Sequence, residues 1–211
     1  MANMVDSVRI LLKAYKEELS LDQIIYILAK KNQTAIEAIK NAIPQLLSAG
    51  TIIETGENKY KIAGNEKPKY FYVFQSNSYN KELSTNCLFC PISKDDRTYR
   101  FWESIKEVKP GDIIFHEANK WVVAISEAQS EAKEADKPYE LDKPEHGRTL
   151  TTTYAVLANQ VEPVRLKDEL LPAQPESVAP FTRNGTGNEG YLFHFNEECA
   201  KIIVKGILNS I

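Results

Sequence analysis

The chain has 211 residues, 43% of them hydrophobic and 26% charged, with a formal net charge of −3. This composition is that of an ordinary folded protein and excludes a disordered or fibrous chain. No apolar run is long enough to cross a bilayer, and the three cysteines (Cys87, Cys90 and Cys199) are odd in number and too few for a disulfide scaffold; with no basic or apolar leader in Met-Ala-Asn-Met-Val-Asp, the expected location is the cytoplasm.

Val8, Leu11, Leu12 and Tyr15 recur at helical spacing and predict a first helix. Ser20-Leu-Asp-Gln23 reads as a capping box that opens a second helix over Ile24, Ile25, Ile27 and Leu28. After the polar turn 30–33, Thr34-Ala-Ile-Glu37 reads as another capping box, opening a third helix through Ile36, Ile39, Ile43, Leu46 and Leu47, with Pro44 a potential kink and Gly50 the stop. Two β-prone runs, 51–55 and 59–62, flank Gly56-Glu57-Asn58 and predict a hairpin. Three helices and a terminal hairpin resemble a winged helix, assigned to residues 1–66. The polar connector 63–68 closes this unit, and two independently folding domains are expected.

From residue 67 to 211 the period shifts toward that of strands. Strands are predicted at 70–75, 112–116, 121–126, 151–157 and 161–166, with a turn at Lys109-Pro-Gly-Asp112 and a helix beginning near Asn196. Segments 138–148 and 172–188 read as loops, and loops of that length inside a compact domain usually serve a function.

Several segments of this half, taken together and in order, resemble a known family: Tyr-Phe-Tyr-Val-Phe-Gln-Ser (70–76), Phe-Trp-Glu-Ser-Ile (101–105), Val-Lys-Pro-Gly-Asp-Ile-Ile-Phe-His (108–116), Val-Val-Ala-Ile-Ser (122–126) and Asn-Gly-Thr-Gly-Asn-Glu-Gly-Tyr-Leu-Phe (184–193). They are similar to the EVE/YTH-like branch of the PUA superfamily, in particular to the recognition domains of methylcytosine-restriction B-type and other modification-dependent restriction proteins. The fold class expected is therefore α+β: a winged helix followed by a PUA-like β-barrel with peripheral helices.

The resemblance implies a barrel that takes a base flipped out of a duplex and stacks it among aromatic side chains, recovering the cost of extrusion by stacking and hydrogen bonds to the base edge. It implies Trp102 as a cage wall, and Phe89 as a second aromatic where relatives carry a Trp-Ala-Pro segment. Gln75, Ser76 and Asn77 after the first strand, and Asn184 and Gly185 in the Gly-rich loop, would read the base edge. Lys94, Arg97 and Arg100, with Lys31, would contact the nucleic-acid backbone, and in the winged helix Gln33, Thr34, Glu37, Lys40 and Asn41 would be exposed on the third helix and face a major groove. The competing structural readings are a core tryptophan, an edge-strand aromatic, ordinary turn chemistry and solvated surface.

Cys87 and Cys90 form a C-x-x-C, but His116, His146, His194 and Cys199 give no second ligand pair of recognised spacing, so no metal and no other cofactor are expected. The chain contains no P-loop, G-x-S-x-G or H-E-x-x-H. The function expected is a non-catalytic specificity module binding double-stranded DNA that carries methylated or hydroxymethylated cytosine or methylated adenine, with a nuclease or NTPase on a partner chain and no membrane contact. The alternatives are a winged-helix transcription regulator with a ligand-sensing barrel, and an RNA reader.

Overall fold

The computed structural model describes residues 3–92 and 100–209, the side chains of Arg100 and Phe101 excepted. The chain folds as a mixed α+β protein with a curled half-barrel sheet. Its first unit runs α1 (Met4–Tyr15), β1 (Leu19–Ser20), α2 (Leu21–Leu28), α3 (Gln33–Ser48), β2 (Ile52–Gly56) and β3 (Lys59–Ile62), with the strands in the order β1-β3-β2.

Polar side chains start these helices by satisfying amides that have no intrahelical partner. Asn3 accepts from the Asp6 N–H, and Ser20 and Gln23 close the predicted capping box. The third helix begins earlier than its Thr34 signature suggests, because the Asn32 side chain takes the Ala35 N–H and caps it there; the helix continues through Pro44 to Ser48. The hairpin turn after β2 uses Asn58 at a φ of 55°, a left-handed conformation that asparagine tolerates.

The second unit comprises β4 (Tyr70–Phe74), α4 (Tyr79–Thr85), β5 (Cys87–Pro91), α5 (Arg100–Glu103), β6 (Ile113–Ala118), β7 (Trp121–Ala128), β8 (Lys133–Asp136), β9 (His146–Val161), α6 (Lys167–Ala173), β10 (Leu192–Phe195) and α7 (Glu197–Leu208). The large sheet has the order β10-β4-β6-β7-β9-β5, with β8 also paired to β9; β4 and β6 are parallel and the other pairs antiparallel. Strand β9, 16 residues long, pairs with β7 along one stretch and with β5 and β8 along another, which curls the sheet over itself. The strand expected at 161–166 is instead a 3-10 turn over Pro163–Leu166. Pro163 lacks the N–H that a ladder requires, and its fixed φ suits the first position of a helical turn. Asn196 caps α7 by accepting the Cys199 N–H, as the helix start near that residue predicted.

Alternate residues along the strands divide the sheet into two faces. One face carries Tyr70, Tyr72, Ile113, Phe115, Ile125, Ala155 and Leu157, all buried against α1, α2, α3 and α7 in a single apolar cluster. That cluster crosses the connector, so residues from both sides of 63–68 share it. An ionic contact reinforces the junction: Arg9 Nη1 and Nη2 donate to Glu127 at 3.0 and 2.6 Å, and Lys13 Nζ donates to the same carboxylate at 2.7 Å. The opposite face is enclosed by the curl of β5 and by α4. Phe71, Val73, Ile114 and Ala128 pack there with Leu88, Cys90, Ile105, Val108, Leu150 and Leu192.

Candidate functional site: a polar cluster inside the curled sheet

The inner face does not stay apolar along its length. Two residues beyond Val73 the same side of the chain presents Gln75; two beyond Ile114 it presents His116; and two before Ala128 it presents Ser126. All three are buried. They form a hydrogen-bonded chain in which each partner fixes the next. The Gln75 amide donates through Nε2 to Glu82, leaving Gln75 Oε1 to accept from His116 Nδ1 at 2.7 Å. The imidazole proton therefore sits on Nδ1, and Nε2 accepts from the Ser126 hydroxyl at 2.7 Å. Burial drives the His116 pKa down to about 3, so the ring is neutral at physiological pH.

Glu82 is the centre of this arrangement. It enters from α4, a two-turn helix that ends when Asn86 adopts a left-handed conformation and turns the chain into β5. Its Oε2 accepts from the Tyr191 hydroxyl at 2.7 Å as well as from Gln75, and its Oε1 accepts from the Tyr139 hydroxyl at 3.1 Å. Burial raises the carboxyl pKa to about 7, against the lowering effect of these donors. Burying a carboxyl costs free energy even when it is hydrogen-bonded, and such groups concentrate at functional sites.

Aromatic rings line the same region. Phe89 stands edge-to-face with Tyr139, ring centroids 6.1 Å apart, and its backbone N–H donates to the Tyr191 hydroxyl at 3.1 Å. Tyr154 lies against His116 with centroids 4.6 Å apart, and its hydroxyl donates to the Cys87 carbonyl. The buried hydroxyl of Tyr79 has no hydrogen-bond partner among the described residues. Gly147 on β9 permits the close approach of Phe89: a Cβ there would lie 2.5 Å from the Cys90 carbonyl oxygen and 2.6 Å from the Phe89 ring.

Just outside, a cleft of about 730 Å³ is lined by Pro91, Ile92, Trp102, Lys137, Lys143 and His146. Lys137 links cleft and cluster, because its ammonium lies 5.6 Å from the Tyr139 ring centroid. A second cleft, of about 1010 Å³, runs beneath the connector. Many of its charges are already paired, Lys201 with Glu17 and Glu197, and Lys13 with Glu66.

No family model matches the chain, and no curated protein matches it. Among solved structures it is similar to Rpa0253 from Rhodopseudomonas palustris, determined by NMR, at 16% identity over 66% of this chain and 94% of that one, with a TM-score of 0.42. A likeness of that size carries no functional argument.

The structure brings two of the predicted pocket residues, Gln75 and Phe89, to the cluster. Ser76 and Asn77 follow Gln75 on the exposed turn into α4. Trp102, half-buried, packs against the apolar cluster joined by Leu88 and Cys90, on the opposite side of β5 from Phe89, and borders the outer cleft. Asn184 is exposed, and Gly185 lies against Lys167 at the start of α6, among elements that cover the other face of the sheet. Lys94 and Arg97 fall outside the described residues, as does the side chain of Arg100. Lys31, Gln33, Thr34 and Lys40 are exposed on and before α3, with Lys40 paired to Glu37 at 3.1 Å.

Cys87 and Cys90 are buried thiols whose odd separation along a strand sends them to opposite faces, where they cannot share an ion. Among the described residues no three His, Cys, Asp or Glu side chains gather as a metal site, and no helix is long and apolar enough to cross a membrane. The order Ser126, His116, Gln75 has the form of a nucleophile, a base and an orienting group. Ser126 and His116 are both fully buried.

Proposed function

We propose that the chain is a non-catalytic reader of modified DNA, in which the polar end of the curled sheet, around Glu82, holds an extruded base. In this reading residues 1–66 act as a winged helix and 67–211 as a PUA-like, EVE/YTH-like barrel. The observation that carries the reading is the Gln75–Glu82–Phe89–Tyr139 group: a carboxyl and an amide beside two aromatic rings. Hydrogen-bonding groups for a base edge and rings for its faces are the two things a flipped-base pocket must supply.

A methyl mark adds only apolar surface, so discrimination would rest on fit against Phe89 and the enclosing strands rather than on charge. Lys143 in the outer cleft, with Lys94, Arg97 and Arg100, would neutralise backbone phosphates and set register. Trp102 would border the passage from duplex to pocket. Cleavage, in a restriction or defence setting, would belong to a nuclease or NTPase partner.

Binding should be measured against duplexes carrying 5-methylcytosine, 5-hydroxymethylcytosine or N6-methyladenine beside the unmodified duplex and single-stranded RNA, at two salt concentrations. The reading requires at least tenfold preference for one modified duplex. Modification-blind binding to particular duplex sequences would replace it with the transcription-regulator reading, and preference for single-stranded RNA with the RNA-reader reading.

A further inference from the structure

Tyr139 differs from its neighbours in the cluster in one respect. Gln75 directly follows β4, Glu82 is on α4 and Phe89 is on β5, whereas Tyr139 hangs from the irregular arm 137–145 between β8 and β9. Lys81 pairs with Glu140 and ties the arm to α4, whereas the pairs of Lys137 with Glu140 at 3.2 Å and Glu145 at 3.1 Å lie within the arm itself. Pairs of that kind contribute little stability and weaken further with salt. Leu141, two residues beyond Tyr139, is 81% exposed and adds no packing to hold the arm down.

What Tyr139 presents to the pocket is a flat ring with one hydrogen-bond donor. Its ring meets Phe89 edge-to-face at 6.1 Å, and its hydroxyl donates to Glu82 Oε1 at 3.1 Å. Those are the contacts a nucleobase would make in the same place. We propose that Tyr139 is a built-in occupant of the base pocket, displaced by an amino-bearing base of the cytosine or adenine type whose exocyclic N–H takes over the hydroxyl's bond to Glu82 Oε1.

This rests on the base-pocket reading and narrows it. Glu82 Oε2 already accepts from Tyr191 and Gln75, so Oε1 is the oxygen that loses its tyrosine donor when Tyr139 leaves, and the incoming ligand must supply a donor there. An exocyclic amino group projects from its ring and can reach it. A thymine-type base carries its single N–H between two carbonyl oxygens, which would be pressed against the carboxyl. A guanine-type base brings two adjacent donors and finds one oxygen open. An amino group bearing one methyl still keeps the N–H that the site needs.

The test titrates deoxycytidine, deoxyadenosine, thymidine and deoxyguanosine into the full chain and its Tyr139→Ala and Tyr139→Phe variants, following the backbone amide of Phe89 by NMR. Thermal unfolding is measured beside each titration. Tyr139→Ala should bind deoxycytidine or deoxyadenosine at least tenfold tighter than wild type, with thymidine and deoxyguanosine unchanged. Tyr139→Phe keeps the ring and loses the donor, and should fall between the two. A folded Tyr139→Ala protein that binds no tighter than wild type would overturn the proposal, making Tyr139 a fixed wall. Equal tightening for all four nucleosides would overturn the amino-group selectivity. Should no nucleoside bind either protein while the Phe89 amide exchanges faster in Tyr139→Ala, the arm covers the cluster but the base-pocket reading itself is wrong, and the ligand assignment falls with it.

Discussion

The two faces of the large sheet are built from the same strands, one residue out of step, and they differ in what they bury. The helix-covered face holds Tyr70, Tyr72, Phe115 and Ile125 in an apolar cluster shared with α1, α2, α3 and α7. The inner face begins the same way, with Phe71, Val73 and Ile114, and then turns polar at Gln75, His116 and Ser126. A strand buried on both sides has no packing reason to place an amide, an imidazole and a hydroxyl in line, since each must find a partner or cost stability. The contrast teaches that the covered face is built by apolar packing alone, whereas one end of the inner face is held by a hydrogen-bonded polar network.

Truncation on the covered face should do the most damage. Phe115→Ala removes a fully buried ring from the shared cluster and should cost about 4 kcal/mol, measured by denaturant unfolding. Because the cluster spans the connector, the loss should move a single cooperative transition rather than one of two. Two separated transitions would show that units 1–66 and 67–211 are stable independently.

The inner face should reveal itself through pH. Burial lifts Glu82 from the usual carboxylate range at 4.5 to about 7, so between those values the folded protein holds a proton that the unfolded chain releases. The stability this gives is full below about pH 4.5 and is lost as pH rises to about 7. Relative to Glu82→Gln, the wild type should therefore lose about 3 kcal/mol across that window. His116 works in the other direction, its lowered pKa making stability rise from about pH 3 to 6.5, but it is present in both proteins. A pH-independent difference between the two would mean that Glu82 is not the titrating group.

The junction between the units should be weaker than either core. Glu127→Ala leaves Arg9 and Lys13 without their shared carboxylate and should cost about 2 kcal/mol, less than for a fully buried pair because Arg9 retains contact with water.

Much of this architecture was legible in the chain and some was not, for reasons that lie in particular residues. The helices of the first unit follow from apolar spacing and from Ser20 and Gln23, and the main strands from their β-branched and aromatic runs. Helix α4 is only seven residues long and β5 only five, too short for a period to show. Pro163 ended a strand that its apolar neighbours suggested. Of the cluster, Gln75 was singled out because it follows the first predicted strand, and Phe89 only through the family resemblance. Glu82, Tyr139 and Tyr191 were not, since they lie on a short helix and in loops and acquire meaning only where the fold brings them together. His116 was visible only as a candidate metal ligand, although a histidine one step after Ile-Ile-Phe in a buried strand is itself the signal of a polar position on an apolar face.

Trp102 is half-buried and borders the outer cleft. Trp102→Ala should weaken binding to modified and unmodified duplexes alike, by roughly tenfold, because its ring lies on the far side of β5 from Phe89. Selective loss of the modified duplex would instead return Trp102 to the pocket wall.

Phe89 provides the most direct test of the central claim, that the base is received beside Glu82 and Tyr139 at the polar end of the curled sheet. The measurement is the ratio of Kd for unmodified over modified duplex, taken for wild type and for a Phe89→Ala variant verified as folded by its thermal transition. The account predicts a ratio of at least ten for wild type, falling to near one in the variant, with salt-sensitive binding to unmodified duplex retained. A wild-type ratio near one, or a folded variant that keeps its preference, would contradict it.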